Sequence, residues 1–164
     1  MKTELQDLIN DCTSEILDIE SRIQILPPLD KEIRFLTNYV LIKAAGTAEF
    51  VYKSIVADYF STLSNHRIDT YFDSKVRNGQ MSATYENMCN LLKQFDETWC
   101  KAFKKIVCAE PDGQKMIDAS NSLVSNRHCF AHGKNPSATL MEIKQYYMDV
   151  VKMIGIFDTI VNAN

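Results

Sequence analysis

Residues 39–48 read YVLIKAAGTA, inside a longer run from about Asp30 to Leu63 that is apolar on most sides between Tyr39 and Ala48. A helix that is apolar all round belongs at the centre of a helical protein, where neighbours cover every face. Narrower stripes flank it. On the N-terminal side Leu5, Leu8, Cys12, Ile16, Ile19 and Ile23 step by three and four, and Pro27-Pro28 ends that helix. On the C-terminal side Tyr85, Met88, Leu92, Phe95, Trp99, Ala102 and Ile106 keep the same spacing as one helix, until Glu110-Pro111-Asp112-Gly113 breaks it. A fourth helix is predicted from about Lys115 to Ala131, stopping at Gly133. The fifth starts at Thr139, which forms a T-x-x-E capping box with Glu142, and its stripe is Leu140, Ile143, Tyr147, Val150, Ile154, Phe157 and Val161. No segment alternates as a strand does. The expectation is all-α: one domain over residues 1–164, an antiparallel bundle of about five helices joined by short connections.

Between Ser64 and Ser82 the pattern lapses, and Arg77-Asn78-Gly79 signals a turn. His66, Arg67, Lys75 and Arg77 make this connector basic. It reads as a solvated loop with room for one short helix, or alternatively as a loop that touches substrate.

Composition removes several function classes. The net charge of −3 argues against a protein that coats nucleic acid through a broad basic surface, while leaving room for a small site that handles one phosphate. The most apolar stretch, Phe35 to Ile42, is cut by Lys43 and Glu49, so no membrane segment is expected. The opening residues, MKTELQDLINDC, are acidic and amphipathic and lack a signal-peptide layout. Five cysteines (Cys12, Cys89, Cys100, Cys108, Cys129) form no C-x-x-C pair and read as small core residues of a reducing compartment, which points to the cytoplasm. Phosphate-binding glycine loops, nucleophile elbows and zinc-type spacings are missing from the sequence.

The densest polar cluster is Ser125-Asn126-Arg127-His128-Cys129-Phe130-Ala131-His132-Gly133-Lys134, at the end of the fourth helix. Arg127 lies four after Leu123 and three before Phe130, on the row with Met116 and Ala119 that should be buried. A guanidinium there needs a carboxylate, a cleft or a subunit interface, and Glu49, inside the most apolar helix, is the natural partner. His128 and His132 share a helix face, but a metal would need further ligands that the sequence does not suggest, so no metal or cofactor is expected.

The wider context, Leu123-Val124, Arg127-His128, then Phe130-Ala131-His132-Gly133 before a last helix with Tyr146-Tyr147, resembles the HEPN superfamily, closest to its RiboL-PSP-HEPN branch. The resemblance is motif-level from about Leu123 to Gly133 and architectural elsewhere. It implies a homodimeric helical bundle that cleaves RNA without metal, leaving 2′,3′-cyclic phosphate ends, often as a toxin or phage-defence effector with a protein antitoxin. It assigns the catalytic pair to Arg127 and His132, with His128 and Glu49 in support. Asn126, Lys134, Arg67 and Arg77 are further candidates to touch RNA. The chemistry suits these residue types: an imidazole can shuttle the protons of 2′-OH attack, and a fixed guanidinium can stabilise the charge gained by the phosphate. On an ideal helix the two side chains point about 140° apart. They meet at one phosphate only if the helix distorts before Gly133 or if two subunits share the site across a twofold axis, and the second is the expectation. The alternative is a non-catalytic helical module that binds a partner protein or RNA.

Overall fold

The computed structural model describes residues 1–62 and 66–163. Among the described residues there are seven α-helices and no strand: α1 (Thr3–Gln24), α2 (Lys31–Ser61), α3 (His66–Phe72), α4 (Tyr85–Phe95), α5 (Glu97–Ala109), α6 (Gly113–Ala131) and α7 (Leu140–Val161). A π-helical turn, Asp73–Arg77, extends α3. The protein is all-helical as expected, but the count of about five is corrected to seven at two places.

The first is the connector. Its polar sequence hides two residues four apart, Phe72 and Val76, that are buried. Phe72 stacks on Phe60 of α2 at 4.6 Å and meets Phe95 of α4 at 5.5 Å. Two apolar residues are too few to draw a stripe, so tertiary contact rather than local pattern makes this helix. The predicted end of the second helix at Leu63, and the connector's start at Ser64, lie outside the described residues.

The second is the long third helix, which breaks at Asp96. This residue is extended (φ −154°, ψ 117°), so it ends α4 and caps α5. Its carboxylate accepts from the Thr98 amide and the Thr98 hydroxyl, each at 2.6 Å, an Asx-type cap that competes well with helix continuation. The break rotates the following helix. Its buried row is Trp99, Cys100, Phe103 and Val107, while Ile106 of the predicted stripe faces solvent.

The expected central helix is central. α2 is buried at twelve positions between Val40 and Ala57, and it packs most extensively on α7, then on α1, the π turn and α6. The α7 stripe is buried as predicted, with Phe157 edge-on to Tyr52 of α2 at 5.8 Å and to Phe103 of α5 at 5.7 Å. In α1, Ile9 rather than Leu8 joins Leu5, Cys12 and Ile16 inside. The buried carboxylate of Asp149 on α7 is met by Lys115 of α6 at 3.2 Å and by Gln145 at 2.9 Å, which fixes the two helices that flank the polar cluster. Cys12, Cys89 and Cys100 are core residues, whereas Cys108 is exposed and Cys129 half-buried. No described helix is long and apolar enough to cross a membrane.

The Thr139–Glu142 box forms reciprocally, the Thr139 amide donating to Glu142 at 2.8 Å and the Glu142 amide to the Thr139 hydroxyl at 3.3 Å. Hydrogen bonds from the Thr139 backbone and then its side chain hold the Glu142 carboxyl below its ordinary range. A depressed folded-state value means stability present above the ordinary carboxylate range and lost as pH falls through the lowered one. Glu142→Gln should therefore flatten the acid-side decline in urea midpoint between about pH 5 and pH 3. Phe157→Ala, which empties the junction of three helices, should cost about 3–5 kcal/mol in equilibrium unfolding.

Candidate functional site

The end of α6 is shaped by its backbone. Gly133 is left-handed (φ 72°), its amide donates to Phe130 O at 3.0 Å, and the Lys134 amide donates to Cys129 O at 3.0 Å. These two bonds are a Schellman closure, which a residue without Cβ forms at no steric cost. α6 therefore stays regular through Ala131, and His132 is its C-cap, with its amide on His128 O at 3.0 Å. The helix does not distort to swing His132 toward Arg127.

Arg127 is half-buried and His128 exposed, and both line a polar cleft of about 540 Å³ that Glu49 of α2 also lines. His132 is exposed and lies outside the lining of this cleft. Within one chain the structure thus brings together Arg127, His128 and Glu49, and leaves His132 on another side of α6. No hydrogen bond or ion pair involves the Arg127 side chain among the described residues. The expected Glu49–Arg127 pair is corrected: Glu49 is bound by Lys53, one helical turn on, at 2.9 Å.

The rest of the cleft comes from the segment between the π turn and α4: Gln80, Met81 and Ser82, with Asn87 of α4 behind them. Four contacts fix it. The buried Tyr52 hydroxyl donates to Met81 O at 2.7 Å, Lys53 Nζ donates to Gly79 O at 2.5 Å, and Asn87 Nδ2 donates to Ser82 O at 2.9 Å. The Tyr85 amide donates to Ser120 Oγ of α6 at 3.2 Å. Burial first, and the Glu49 charge second, push the Tyr52 phenol far above its usual range, so it remains a proton donor. Gly79 has no room for a side chain, since a Cβ would stand 2.3 Å from Lys75 O. Gln80, Met81 and Ser82 belong to the connector that the sequence allows as a substrate-touching loop, whereas Tyr52 and Asn87 carried no sequence signal. The readable signal was Lys53, a lone cation among Val51, Tyr52, Ile55 and Val56, all buried.

The other candidates have different occupations. Arg77, a candidate RNA contact from the sequence, is held in the fold by two carboxylates, its guanidinium on Asp58 at 2.7 Å and Asp73 at 2.8 Å. Asn126 is likewise engaged at both ends of its amide, donating to Ser122 O at 2.9 Å and accepting from the Ala138 amide at 3.2 Å, which pins the α6–α7 loop. Lys134 is exposed beside His132, and Arg67 is exposed on α3, away from the cleft lining. Among the described residues no group of three or more His, Cys, Asp or Glu side chains is gathered as a metal set.

The contrast between the two arginines is testable by urea unfolding. Arg77→Ala leaves Asp73 without its partner and Asp58 with Lys2 alone at 3.1 Å, and should cost about 1 kcal/mol. Arg127→Ala removes a guanidinium with no partner and should change stability by less than about 0.5 kcal/mol.

Comparison with curated proteins and with solved structures found no match. A family model described as RiboL-PSP-HEPN matches residues 7–163, nearly the whole of the described fold. The chain belongs to the RiboL-PSP-HEPN family.

Proposed function

We propose that the protein is a metal-independent endoribonuclease of the HEPN type, acting as a toxin or phage-defence effector in the cytoplasm. The observation that carries this reading is Arg127: a guanidinium half-buried in a cleft wall, bound to no carboxylate although Glu49 lines the same cleft. A cation in a polar cleft with no carboxylate on it is suited to meet an anionic ligand, and an RNA phosphodiester supplies that charge. In this reading Arg127 binds the scissile phosphate and stabilises the charge it gains. His132 takes the proton of the attacking 2′-OH or delivers one to the leaving 5′ oxygen, and the product ends in a 2′,3′-cyclic phosphate.

Family membership supports the chemistry, and the regular end of α6 bears on the assembly. His132 lies outside the lining of the Arg127 cleft, which favours a site shared between two chains over one built within a single chain. A homodimer across a twofold axis through the ends of the two α6 helices brings Arg127 of each chain toward His132 of the other. The partners in this reading are RNA, a second copy and, for a toxin, a protein antitoxin. A non-catalytic module that binds a partner protein or RNA is the second reading, favoured by the net charge of −3.

Two experiments test it. Purified wild type in EDTA should cleave RNA to cyclic-phosphate ends while His132→Ala does not; failure to cleave varied RNAs favours the binding module. Co-expressed Arg127→Ala and His132→Ala chains should recover about a quarter of wild-type activity, because half of random dimers carry one intact composite site of two. No recovery in heterodimers isolated by two affinity tags would place both groups in one chain and sink the composite site.

A further inference from the structure

Lys53 is the only Lys or Arg of the buried class among the described residues, with its side chain 6% exposed. It sits in a stretch of α2 where Val51, Tyr52, Ile55 and Val56 are all in the core. A buried ammonium is costly even when paired, and an apolar residue of similar length would suit these surroundings better. Its contacts show what it does instead. Nζ reaches Glu49 Oε1 at 2.9 Å and Gly79 O at 2.5 Å, so one ammonium joins the α2 wall of the cleft to the start of the 80–82 wall.

We propose that Lys53 is a positioning residue that keeps Arg127 available, by holding the Glu49 carboxylate away from it. This rests on the reading of Arg127 as the phosphate-binding group. Glu49 and Arg127 line the same cleft, and a guanidinium–carboxylate fork is a stronger arrangement than a single ammonium contact. Left to itself, Glu49 turns to Arg127 and occupies the position a phosphate needs. Lys53 prevents this because its own charge, in the core, has no carboxylate partner other than Glu49 among the described residues, and losing that partner would leave it buried and unmatched. The cleft therefore holds one spent carboxylate and one unspent guanidinium, rather than a closed ion pair.

The distinguishing signature is rescue. Lys53→Met should bind a fluorescein-labelled 2′-O-methyl oligoribonucleotide, which cannot be cleaved, roughly tenfold more weakly than wild type, within the range of couplings between contacting groups. Adding Glu49→Gln to Lys53→Met should return binding to within about twofold, since nothing then neutralises Arg127. A residue that merely supports the 80–82 wall would show the loss without the rescue, and that result would overturn the proposal, as would undiminished binding by Lys53→Met. Lys53→Gln, which keeps a donor for Gly79 O but no charge, serves in the same scheme if the methionine variant does not fold. A second readout needs no RNA. In urea unfolding, Glu49→Gln and Arg127→Ala should be additive with Lys53 present and coupled with Lys53→Met, and additivity in both backgrounds refutes the role of Lys53. If wild type fails to bind the oligonucleotide while the coupling emerges, the RNA reading is at fault and the control of Arg127 by Lys53 stands.

Discussion

Tyr52 carries the constraint on which the rest depends. Its ring is fully buried in α2 against Phe157 of α7, and its hydroxyl donates to the carbonyls of Met81 and Ser82. One side chain thus seals the central helix pair and fixes the outer wall of the cleft. A buried phenol must find acceptors or lose the free energy gained by burying its ring. Here the acceptors are backbone atoms of a segment with no helix or strand of its own. The placement of residues 80–82 follows from the packing of the core, and Lys53, one residue on, repeats the arrangement with the carbonyl of Gly79.

The same core decides which charges are neutralised. Arg77 leaves the π turn toward α2 and meets Asp58, with Asp73 on its other side. Lys115 reaches the buried Asp149. Lys53 and Glu49 satisfy each other within one turn of α2. Each pair joins or stiffens elements of the fold, and each gives its cation a carboxylate within the chain. Arg127 is placed on the inner row of α6 like a core residue but is given no carboxylate. The cleft in front of it is polar and open, so water can meet the cost of its partial burial.

Much of this was legible in the sequence, and the limits have physical causes. The central helix, the α7 stripe, the capping box at Thr139 and the glycine stop at Gly133 are local signals, and these four read correctly. The break at Asp96 was hidden because the three-four spacing of Tyr85, Met88, Leu92, Phe95 and Trp99 passes through it without a fault, while the cap that breaks it is one aspartate followed two residues on by a threonine. α3 was hidden because Phe72 owes its burial to Phe60 and Phe95, which are distant in sequence. At the site, Arg127 and Glu49 were recognisable because a charged residue on an apolar row stands out, and His128 because it sits in the densest polar cluster. Their pairing was not, because helical position gives a direction and not a distance. By the same rule Lys53 should have been noticed together with Glu49, four residues away.

The regular ending of α6 links local backbone chemistry to assembly. A five-residue interval on an unbroken α-helix turns two side chains about 140° apart, and nothing short of a local defect removes that angle. The structure closes the helix through Gly133 with both Schellman bonds made, one residue after His132, so the backbone is satisfied and has no reason to distort further upstream. Divergence of Arg127 and His132 is then a built-in property of the motif in this chain, not an accident of side-chain rotation. Two divergent groups near one helix end make a coherent site when a twofold axis passes close to that end. Each helix then presents its arginine to one side and its histidine to the other, and the same geometry that separates them within a chain can oppose them between chains. A twofold assembly is thus the economical way for this helix to serve the reaction proposed for it, and the α6–α7 loop that Asn126 pins beside it is the first surface on which such contact would be felt.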